Sequence, residues 1–506
     1  MTGTRAAAAA STVAGLFAAR ARVLPRAPAA ADDRVSWTYG ELCGRVAHLA
    51  GLLRARGVAA GDRIAVLSRN RVEYLELFLA AGWIGAVVAC QNWRLADGEL
   101  AACIDLVAPA LLVASPEEAP RLAGRREPLL VFGAEHERAL AGAAPVAEPV
   151  ELDPEAPLLI LYTSGTTGLP KGAVISHRAE IARNLVLRAE FAIAPADAYA
   201  AWSPLYHMGG AEYSLGTLMA GGAVFVVDGF RADRLVELVE REPLGWLLLM
   251  PGMVGRFADA LEARGARPRG VKVCGVMADL VPPADIARVT RLLGAPYANT
   301  FGATETGCPP CSSSLIPIGA LPTRLSKEQS PFCEVRLVDE DDREVPDGQP
   351  GELCMRGPTL FSGYWAAPEA NAADFRGGWF HMGDVFVRNP DGTLDFVDRR
   401  KYLIKSGGEN IYPAEIERVL LRDPRVAEAA VVRLADPTWG EVPVAFVART
   451  DPGLTGEELA AACRAELASY KKPRAILFIE LEDFPRSASG KVLRYELERR
   501  LKEKPP

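Results

Sequence analysis

The sequence predicts an α/β protein built on parallel sheets, and two observations carry that prediction. Residues 35–108 alternate between segments typical of strands and segments typical of helices, a pattern that favours a parallel sheet covered by helices. The chain has 506 residues, which is more than one hydrophobic core ordinarily serves, so two or more domains are expected.

The composition narrows the class of protein and its partners. Hydrophobic residues make up 49% of the chain and charged residues 24%, as in soluble globular proteins. No apolar run approaches the length of a membrane helix. The net charge is −7 without a basic cluster, so nucleic acid is not an expected partner. The nine cysteines are scattered and offer no complete zinc site, so we expect reduced thiols and a cytoplasmic location.

The first elements follow from local signals. The Ala-rich segment 1–22 is interpreted as an amphipathic helix rather than a signal peptide, because hydroxyl residues interrupt it and arginines follow it. Thr38, three residues before Glu41, predicts a capping box for a helix that runs to Arg56. A strand, a helix and another strand are then predicted at 63–67, 73–84 and 86–89.

The densest chemical signal lies in residues 158–177. A short apolar run predicts a buried strand, which leads into a loop of hydroxyl residues, glycines and one lysine. Glycine lets the backbone approach a bulky anion, amides and hydroxyls donate to its oxygens, and the ammonium offsets its charge. On composition alone a Gly- and Thr-rich surface hairpin is an equal alternative. The predicted polyphosphate site comprises Thr163, Ser164, Gly165, Thr166, Thr167, Gly168 and Lys171.

A Walker A loop does not fit this segment. Counting from Gly165, the second glycine of G-x-x-x-x-G-K-[ST] falls on Pro170, and Gly172 stands where Ser or Thr should follow the lysine. The segment instead resembles the Y-T-S-G-[ST]-T-G-x-P-K-G signature of the adenylate-forming superfamily. That superfamily includes acyl-CoA synthetases, peptide-synthetase adenylation domains and beetle luciferases.

The resemblance extends along the whole chain and implies a domain plan. Residues 1–398 would form a large N-terminal domain of αβ layers with a β-rich subdomain. A small, mobile C-terminal α/β domain would comprise residues 403–506, joined through a hinge at 399–402. ATP, Mg²⁺ and CoA are the implied cofactor and co-substrates.

Two blocks resemble the family's motifs for phosphate and ribose. Residues 299–306 resemble [YF]-G-x-T-E; there Glu305 would hold Mg²⁺ and Thr304 would donate to the α-phosphate. Residues 378–384 resemble W-[FL]-x-T-G-D, in which Asp384 would accept from the ribose hydroxyls.

A third segment departs from its counterpart. Residues 276–280 read V-M-A-D-L, where the family commonly reads G-G-A-P-L and sandwiches adenine with its backbone. We therefore leave open whether the backbone approaches adenine here or whether Met277 narrows the acyl pocket. The resemblance places further ATP or AMP contacts at Met277, Ala278, Asn299, Phe301, Gly302 and Arg399.

Residues 204–210, P-L-Y-H-M-G-G, resemble the stretch that borders the carboxylate end of the family's acyl pocket. A histidine among apolar neighbours is otherwise a core residue. Amino-acid-activating members usually carry an aspartate in this region, and residues 202–213 have none, so an amino-acid substrate is disfavoured. The predicted pocket is apolar and fits a fatty or an aromatic acid. Its residues are Trp202, His207, Met208, Gly209, Met277 and Cys308.

The C-terminal part carries two more blocks. Residues 398–417 resemble the family's hinge block, with Lys401 at the pivot and Tyr402 where aspartate is usual. Residues 484–494 resemble L-P-[KR]-T-x-x-G-K-[IVL]-x-R, and Lys491 would offset the repulsion between the substrate carboxylate and the α-phosphate. Seven positions match residues that bind CoA in related ligases, although each position alone also fits a solvated surface. They are Arg94, Gly407, Gly408, Trp439, Tyr470, Lys472 and Arg474.

The implied chemistry has two half-reactions. A carboxylate attacks the α-phosphorus of ATP to give acyl-AMP and pyrophosphate, and the C-terminal domain then rotates about Lys401 so that a thiol attacks the adenylate. CoA is the expected thiol. A ligase that loads a carrier protein's phosphopantetheine, a luciferase-like oxygenase and a non-catalytic nucleotide-binding protein stay open, as does a homodimer. The implied catalytic residues are Thr163, Lys171, Thr304, Glu305 and Lys491.

Overall fold

The computed structural model describes residues 10–163, 170–406, 409–486 and 492–503. The chain forms two compact units, the first from Met1–Glu334 and Arg356–Phe380 and the second from Val335–Met355 and His381–Pro506. The domain boundary at 398 and the hinge at 399–402 stay predictions. No helix among the described residues is long and apolar enough to cross a lipid bilayer.

A six-stranded sheet in the first unit leads to the predicted phosphate loop. Its strands are parallel except for the last, which returns antiparallel. Most residues of these strands are buried, which accounts for their near-continuous apolar sequences. In spatial order the strands are Leu129–Val131, Leu111–Ala114, Arg63–Leu67, Val87–Gln91, Pro157–Thr163 and Lys171–Ser176.

The same unit also contains an eight-stranded sheet. Its six inner strands are parallel to their neighbours and its two edge strands are antiparallel. A separate two-stranded ribbon pairs Phe301–Ala303 with Gly307–Cys311. In spatial order the large sheet contains Leu315–Ile316, Tyr297–Ala298, Val271–Cys274, Leu244–Leu247, Ala198–Ala201, Val224–Val226, Pro28–Ala31 and Ser36–Thr38.

The helices of the first unit cover these sheets, and local signals explain their ends. The predicted capping box is confirmed, because Thr38 N donates to Glu41 Oε2 at 2.8 Å and Glu41 N donates to Thr38 Oγ1 at 3.3 Å. The helices are Val13–Val23, Tyr39–Ala55, Val72–Ile84, Asp97–Val107, Ala134–Gly142, His177–Phe191, Met208–Ala220, Ala232–Arg241, Val254–Arg264, Pro283–Leu293 and Pro368–Asp374. Short 3₁₀ turns lie at Ala119–Leu122, Ala278–Leu280 and Arg376–Gly378.

Within the described residues, the second unit combines two sheets with three helices. Its four-stranded sheet has the order Glu334–Val338, Pro350–Arg356, Phe380–Arg388 and Leu394–Arg399. The five-stranded sheet has the order Glu409–Ile411, Ile404–Ser406, Gly440–Arg449 and Val426–Asp436, with Ala475–Phe478 also paired to the long strand Gly440–Arg449. The helices are Pro413–Leu420, Gly456–Glu466 and Arg494–Glu503, and 3₁₀ turns lie at Arg400–Tyr402, Ser469–Lys471 and Leu481–Asp483. The predicted α/β class, with a β-rich part and a small C-terminal α/β part, is confirmed.

Candidate active site

The predicted phosphate loop connects the last two strands of the six-stranded sheet. Thr163 ends one strand and Lys171 begins the next, and the two residues pair directly across the ladder. Gly172 follows in a space that suits only glycine, because a Cβ there would lie 2.8 Å from Ile160 Cγ2. The two ends of the loop are therefore held side by side. The predicted loop residues Ser164, Gly165, Thr166, Thr167 and Gly168 lie outside the described residues.

Tyr364 joins the loop lysine to the predicted magnesium ligand. Its hydroxyl donates to Glu305 Oε1 at 2.9 Å, and its ring centroid lies 4.4 Å from Lys171 Nζ, within cation–π range. Lys171 Nζ also lies 3.5 Å from Asp374 Oδ2. Burial, together with the charge of Glu305, raises the pKa of the Tyr364 hydroxyl, so it stays protonated and acts as a donor.

Backbone hydrogen bonds explain how Tyr364 reaches both groups. Trp365 N donates to Gly172 O at 2.8 Å, which aligns this stretch with the strand that begins at the loop lysine. On the other side, Phe361 N donates to Glu305 O at 2.9 Å. One irregular segment thus connects the phosphate loop to the turn that carries the carboxylate.

The turn that carries Thr304 and Glu305 lies between the two strands of the ribbon. Both residues are partly exposed, and Phe301 at the start of the ribbon is partly buried. Gly302 is required by close packing, since a Cβ there would lie 2.0 Å from Gly307 O. The tight ribbon therefore leaves the threonine and the carboxylate accessible at its tip.

The segment predicted to meet adenine keeps a glycine-like backbone in spite of its different side chains. Met277 has φ +51 and ψ +69, in the left-handed region that glycine populates most readily. Tyr297 supports the segment by donating its hydroxyl to Val276 O at 3.1 Å. Ala278 is fully buried. Met277 therefore adopts, without being glycine, a backbone conformation that suits glycine best.

Asn299 lies beside this segment through a shared partner. Its Nδ2 donates to Leu325 O at 3.1 Å, and its Oδ1 accepts from Lys327 Nζ at 2.6 Å. The same ammonium lies 2.6 Å from Asp279 Oδ2. Two of the predicted nucleotide-binding stretches are thus linked by one lysine.

The residues predicted for the start of the acyl pocket have different surroundings. Trp202 is packed as a core residue, with Nε1 donating to Leu248 O at 2.7 Å and its ring 5.4 Å from that of Phe230; its pocket role stays a prediction. His207 is partly exposed and precedes the helix that begins at Met208. The histidine is therefore not the buried core residue that was its alternative interpretation.

An aromatic wall connects two other predicted pocket residues, Gly209 and Cys308. Tyr199 donates its hydroxyl to Gly209 O, and its ring lies 6.0 Å from that of Tyr213. The Tyr213 hydroxyl lies 2.9 Å from Cys308 Sγ, and its ring lies 4.6 Å from that of Trp246. Burial raises the pKa of the Cys308 thiol to about 12, so the sulfur is neutral at physiological pH.

In the second unit, the predicted ribose-binding carboxylate is paired with an arginine. Asp384 and Arg399 are direct partners across two antiparallel strands, and Arg399 Nε donates to Asp384 Oδ1 at 3.1 Å. The carboxylate of Glu352 supports the same place, because Gly383 N donates to its Oε1 at 3.2 Å and Arg400 Nη1 donates to its Oε2 at 2.8 Å. These contacts orient the turn that presents Asp384.

Asp398 begins the predicted hinge block as a buried helix cap. Its Oδ1 accepts from Arg399 N at 2.6 Å and its Oδ2 accepts from Ala414 N, in the first turn of helix Pro413–Leu420, at 2.8 Å. Burial raises its pKa to about 6, although the nearby Arg494 acts in the opposite direction. Asp398 thus anchors a helix rather than facing a ligand.

The predicted pivot lies in the 3₁₀ turn Arg400–Tyr402, which contains Lys401. Tyr402, the departure from the family's aspartate, packs beneath the guanidinium of Arg494, whose Cζ lies 4.8 Å from its ring centroid. Arg494 also donates through Nη2 to Glu417 Oε2 at 2.8 Å. The predicted catalytic lysine, Lys491, lies outside the described residues.

The residues predicted to bind CoA are divided between the two units. In the first, the Arg94 guanidinium packs on Trp93, 4.8 Å from the ring centroid. In the second, Ser406 pairs with Gly440, so the strand that ends at Ser406 lies next to the hairpin tip that carries Trp439. The predicted residues Gly407 and Gly408 lie outside the described residues.

Two aromatic residues predicted to bind CoA in the second unit are exposed, Trp439 by 54% and Tyr470 by 41%, which suits stacking on a base. Trp439 N donates to Asp436 Oδ1 at 2.9 Å, and this bond, with the charge of Arg474, lowers the pKa of Asp436. Arg474 therefore lies near the same tip. Lys472 follows the 3₁₀ turn that contains Tyr470.

Three residues that organise the site were not predicted from the sequence: Tyr364, Asp374 and Lys327. Tyr364 follows Gly363 in an irregular segment, and Asp374 ends a short helix. Lys327 stands in a loop-like region rich in Pro and Ser. None of them belongs to a motif with a chemical rationale, so the sequence offers no direct signal for them.

Comparisons with known proteins agree with this arrangement of residues. Residues 17–365 match the family model described as AMP-binding enzyme, and residues 415–491 match that of the AMP-binding enzyme C-terminal domain. A feruloyl-CoA synthase from Amycolatopsis is 36% identical over 95% of this chain and 97% of its own length. A 2-succinylbenzoate–CoA ligase from Geobacillus kaustophilus is 34% identical over 95% of this chain and 96% of its own length.

The fold agrees with a solved structure of similar size. The crystal structure of ATP-bound MatB from Rhodopseudomonas palustris superimposes with a TM-score of 0.85 at 28% sequence identity, covering 97% of this chain and 99% of that one.

Proposed function

This chain belongs to the AMP-binding enzyme family, and on that premise we propose that it is an AMP-forming acyl-CoA ligase for an aromatic carboxylic acid. The observation that carries the proposal is the contact of Tyr364 with both Lys171 and Glu305. This contact brings an ammonium and a carboxylate together at the base of a predicted phosphate loop. A triphosphate needs the positive charge of the ammonium, and its bound cation needs the negative charge of the carboxylate.

In the first half-reaction, the acid's carboxylate attacks the α-phosphorus of ATP and pyrophosphate leaves. Lys171 offsets phosphate charge, and the Thr163 and Thr304 hydroxyls are the proposed donors to phosphate oxygens. Asp384 accepts from the ribose hydroxyls. No side-chain nucleophile is needed, because positioning and charge stabilisation supply the rate enhancement.

Glu305 has the chemistry expected of a ligand for Mg²⁺. Hard divalent cations prefer carboxylate oxygens, and Tyr364 donates to Oε1 only, so Oε2 can accept a further partner. Enzymes of this family use Mg²⁺ to neutralise charge on the phosphates of ATP. Tyr364 would orient the carboxylate without cancelling its charge, since a protonated phenol is neutral.

In the second half-reaction, the thiol of CoA attacks the carbonyl carbon of the acyl-adenylate and AMP leaves. The exposed rings of Trp439 and Tyr470 support a base-stacking site in the second unit, and Arg474 is the proposed partner for CoA phosphate. Lys491 is the proposed cation of the first half-reaction, and Lys401 is the proposed pivot between the two half-reactions.

Lys401→Pro should then slow thioester formation from supplied acyl-AMP and largely spare adenylation. Unimpaired thioester formation would remove the hinge assignment.

Two lines of support favour an aromatic acid over a long fatty acid. The feruloyl-CoA synthase and the 2-succinylbenzoate–CoA ligase are named for aromatic acids. In this chain, Tyr199, Tyr213 and Trp246 form a wall beside Gly209 and Cys308, and such rings favour flat aromatic ligands.

We also propose a cytoplasmic location, supported by cysteines that are scattered along the chain and odd in number.

The test is acid-dependent release of pyrophosphate with ATP and Mg²⁺, with and without CoA. The panel pairs cinnamic, benzoic and indoleacetic acids with fatty acids of matched carbon number. Release with aromatic acids that turns over only with CoA is expected. Acid-dependent release that CoA does not accelerate would favour a carrier-protein acceptor, and no release with any acid would contradict the enzyme assignment.

A further inference from the structure

Lys327 is a buried lysine that the proposed chemistry does not use. Its side chain is fully buried, and its ammonium lies 2.6 Å from Asp279 Oδ2 and 2.6 Å from Asn299 Oδ1. Burial of an ammonium is costly unless it is paired and hydrogen-bonded. Both partners therefore help to offset that cost, and both belong to predicted nucleotide-binding stretches.

The two partners follow neighbouring strands of the large sheet. Asp279 comes after strand Val271–Cys274, and Asn299 comes directly after Tyr297–Ala298. These strands are parallel, with Cys274 paired to Tyr297, so both partners lie at the carboxyl edge of the sheet, where open α/β sheets bind ligands. A single ammonium therefore ties together two loops at that edge.

The segment that contains Asp279 lacks two features that would otherwise stiffen it. Met277 occupies a left-handed conformation without being glycine, which costs backbone energy. Asp279 stands where the related motif has proline, a residue whose ring fixes φ. An ion pair from Lys327 restricts the same position by a different physical means.

We propose that Lys327 is a positioning residue for the nucleotide, which holds segment 276–279 and Asn299 in the arrangement that receives adenine. The inference rests on the proposed function. Lys327 itself does not touch the nucleotide, because its side chain has no exposed surface. Its loss should weaken ATP binding and selectivity for adenine much more than it changes the acid's binding, to which this segment contributes only Met277.

The first experiment compares Lys327→Met with wild type in the pyrophosphate-release assay. We expect the KM for ATP to rise about tenfold, the size expected when a buried charge-assisted contact is removed. The KM for the acid should change less than about twofold and the preference for ATP over GTP should fall. Should this variant fail to fold, Asp279→Asn tests the same contact, because Lys327 keeps Asn299 as a partner.

A rescue experiment separates positioning from general stability. Asp279→Pro in the Lys327→Met background removes the unpaired carboxylate and restores a stiff residue, and it should recover most of the ATP affinity. Proline is tolerated there because Asp279 lies in the first turn of a 3₁₀ helix. Arg45→Met, which breaks the buried pair with Glu76 in other helices, is the control: it should lower Tm without raising the KM for ATP.

Two results would overturn the positioning role. One is a Lys327→Met enzyme with wild-type KM for ATP and wild-type nucleotide preference. The other is an equal rise in the KM for ATP and for the acid that Asp279→Pro does not reverse. Wild-type enzyme that releases no pyrophosphate with any acid would instead contradict the proposed function, so the two failures are distinguishable.

Discussion

Glu305 and Asp384 are both predicted to belong to the ATP site, yet the two carboxylates have different hydrogen-bonding partners. Glu305 is partly exposed and receives a hydrogen bond from the neutral phenol of Tyr364. Asp384 is 2% exposed and is paired with the guanidinium of Arg399. A neutral partner preserves the negative charge that a cation needs, whereas a guanidinium partner offsets the charge of the carboxylate.

If both predicted roles hold, the partner of each carboxylate, rather than the carboxylate itself, distinguishes the two binding sites. The two carboxylates also differ in how the chain brings each one to its partner. Asp384 and Arg399 meet because they are opposite each other in one pair of strands. Glu305 and Tyr364 meet only because distant segments pack together.

The largest expected effect tests the charge of Glu305. Glu305→Gln keeps an acceptor for Tyr364 but removes the charge, and we expect kcat for acid-dependent pyrophosphate release to fall about 10³-fold, because charge stabilisation on the phosphates is lost. Glu148→Gln, at an exposed pair with Arg22, should leave kcat unchanged. A fully active Glu305→Gln enzyme would remove the distinction between the two carboxylates.

Asp398 sharpens the comparison as a third carboxylate that has a structural role. Because its pKa rises from 3.8 to about 6 on folding, the folded state favours the protonated form. This stabilisation is complete below about pH 4 and is lost as pH rises to about 6, by at most about 3 kcal/mol. Relative to wild type, Asp398→Asn should therefore gain stability between pH 4 and 6 in urea unfolding.

The control for this pH dependence is Asp347→Asn, at an exposed turn residue. Its stability should run parallel to that of wild type across the same range. Equal pH profiles for Asp398→Asn and wild type would show that the buried carboxylate is not protonated in the native protein.

A smaller effect is expected when the acceptor at the ribose site is weakened. Asp384→Asn should raise the KM for ATP about 10- to 100-fold, since a hydrogen bond to a charged acceptor contributes about 1.5–3 kcal/mol. The matched substrate is 2′-deoxy-ATP, for which the loss should be smaller because one hydroxyl is missing. An identical loss with both nucleotides would argue against ribose recognition by Asp384.

The smallest expected effect isolates the hydrogen bond that orients Glu305. Tyr364→Phe keeps the ring beneath Lys171 and removes only the hydroxyl. We expect kcat to fall only about 5- to 10-fold, less than the full contribution of a hydrogen bond to a carboxylate, because the hydroxyl orients Glu305 and does not itself bind ATP; the KM for the acid should change little. A loss as large as that of Glu305→Gln would mean that the phenol contributes more than orientation, and the neutral-partner explanation would be wrong.

Local signals in the sequence accounted for much of the fold. The capping box of Thr38 and Glu41, the strand at 63–67 and the buried strand before the phosphate loop all occur as predicted. Each depends on interactions between near neighbours in the chain, such as a side chain that caps its own helix. The pairing of Thr163 with Lys171, in contrast, was not predicted from the sequence and is a finding of the structure.

Other parts of the candidate site could not be read from local pattern. Lys327 lies in a stretch that resembles a polar loop, yet its ammonium is buried between two other loops. Trp202 carries an apolar ring that suits a pocket as well as a core, and its contacts with Leu248 and Phe230 are those of a core residue. Burial and partner identity depend on which segments pack together, and residue type alone does not encode that.

By itself, the sequence determined the class of fold, the order of its motifs and the residue types that can bind a triphosphate, because alternation, glycine content and charge act over short stretches. Only the tertiary structure decided the partners of those residues: Tyr364 beside Lys171 and Glu305, and Lys327 between Asp279 and Asn299. The physical reason is that a partner's charge, dipole and burial act through space. They exist only once strands and loops distant in the chain have packed against one another.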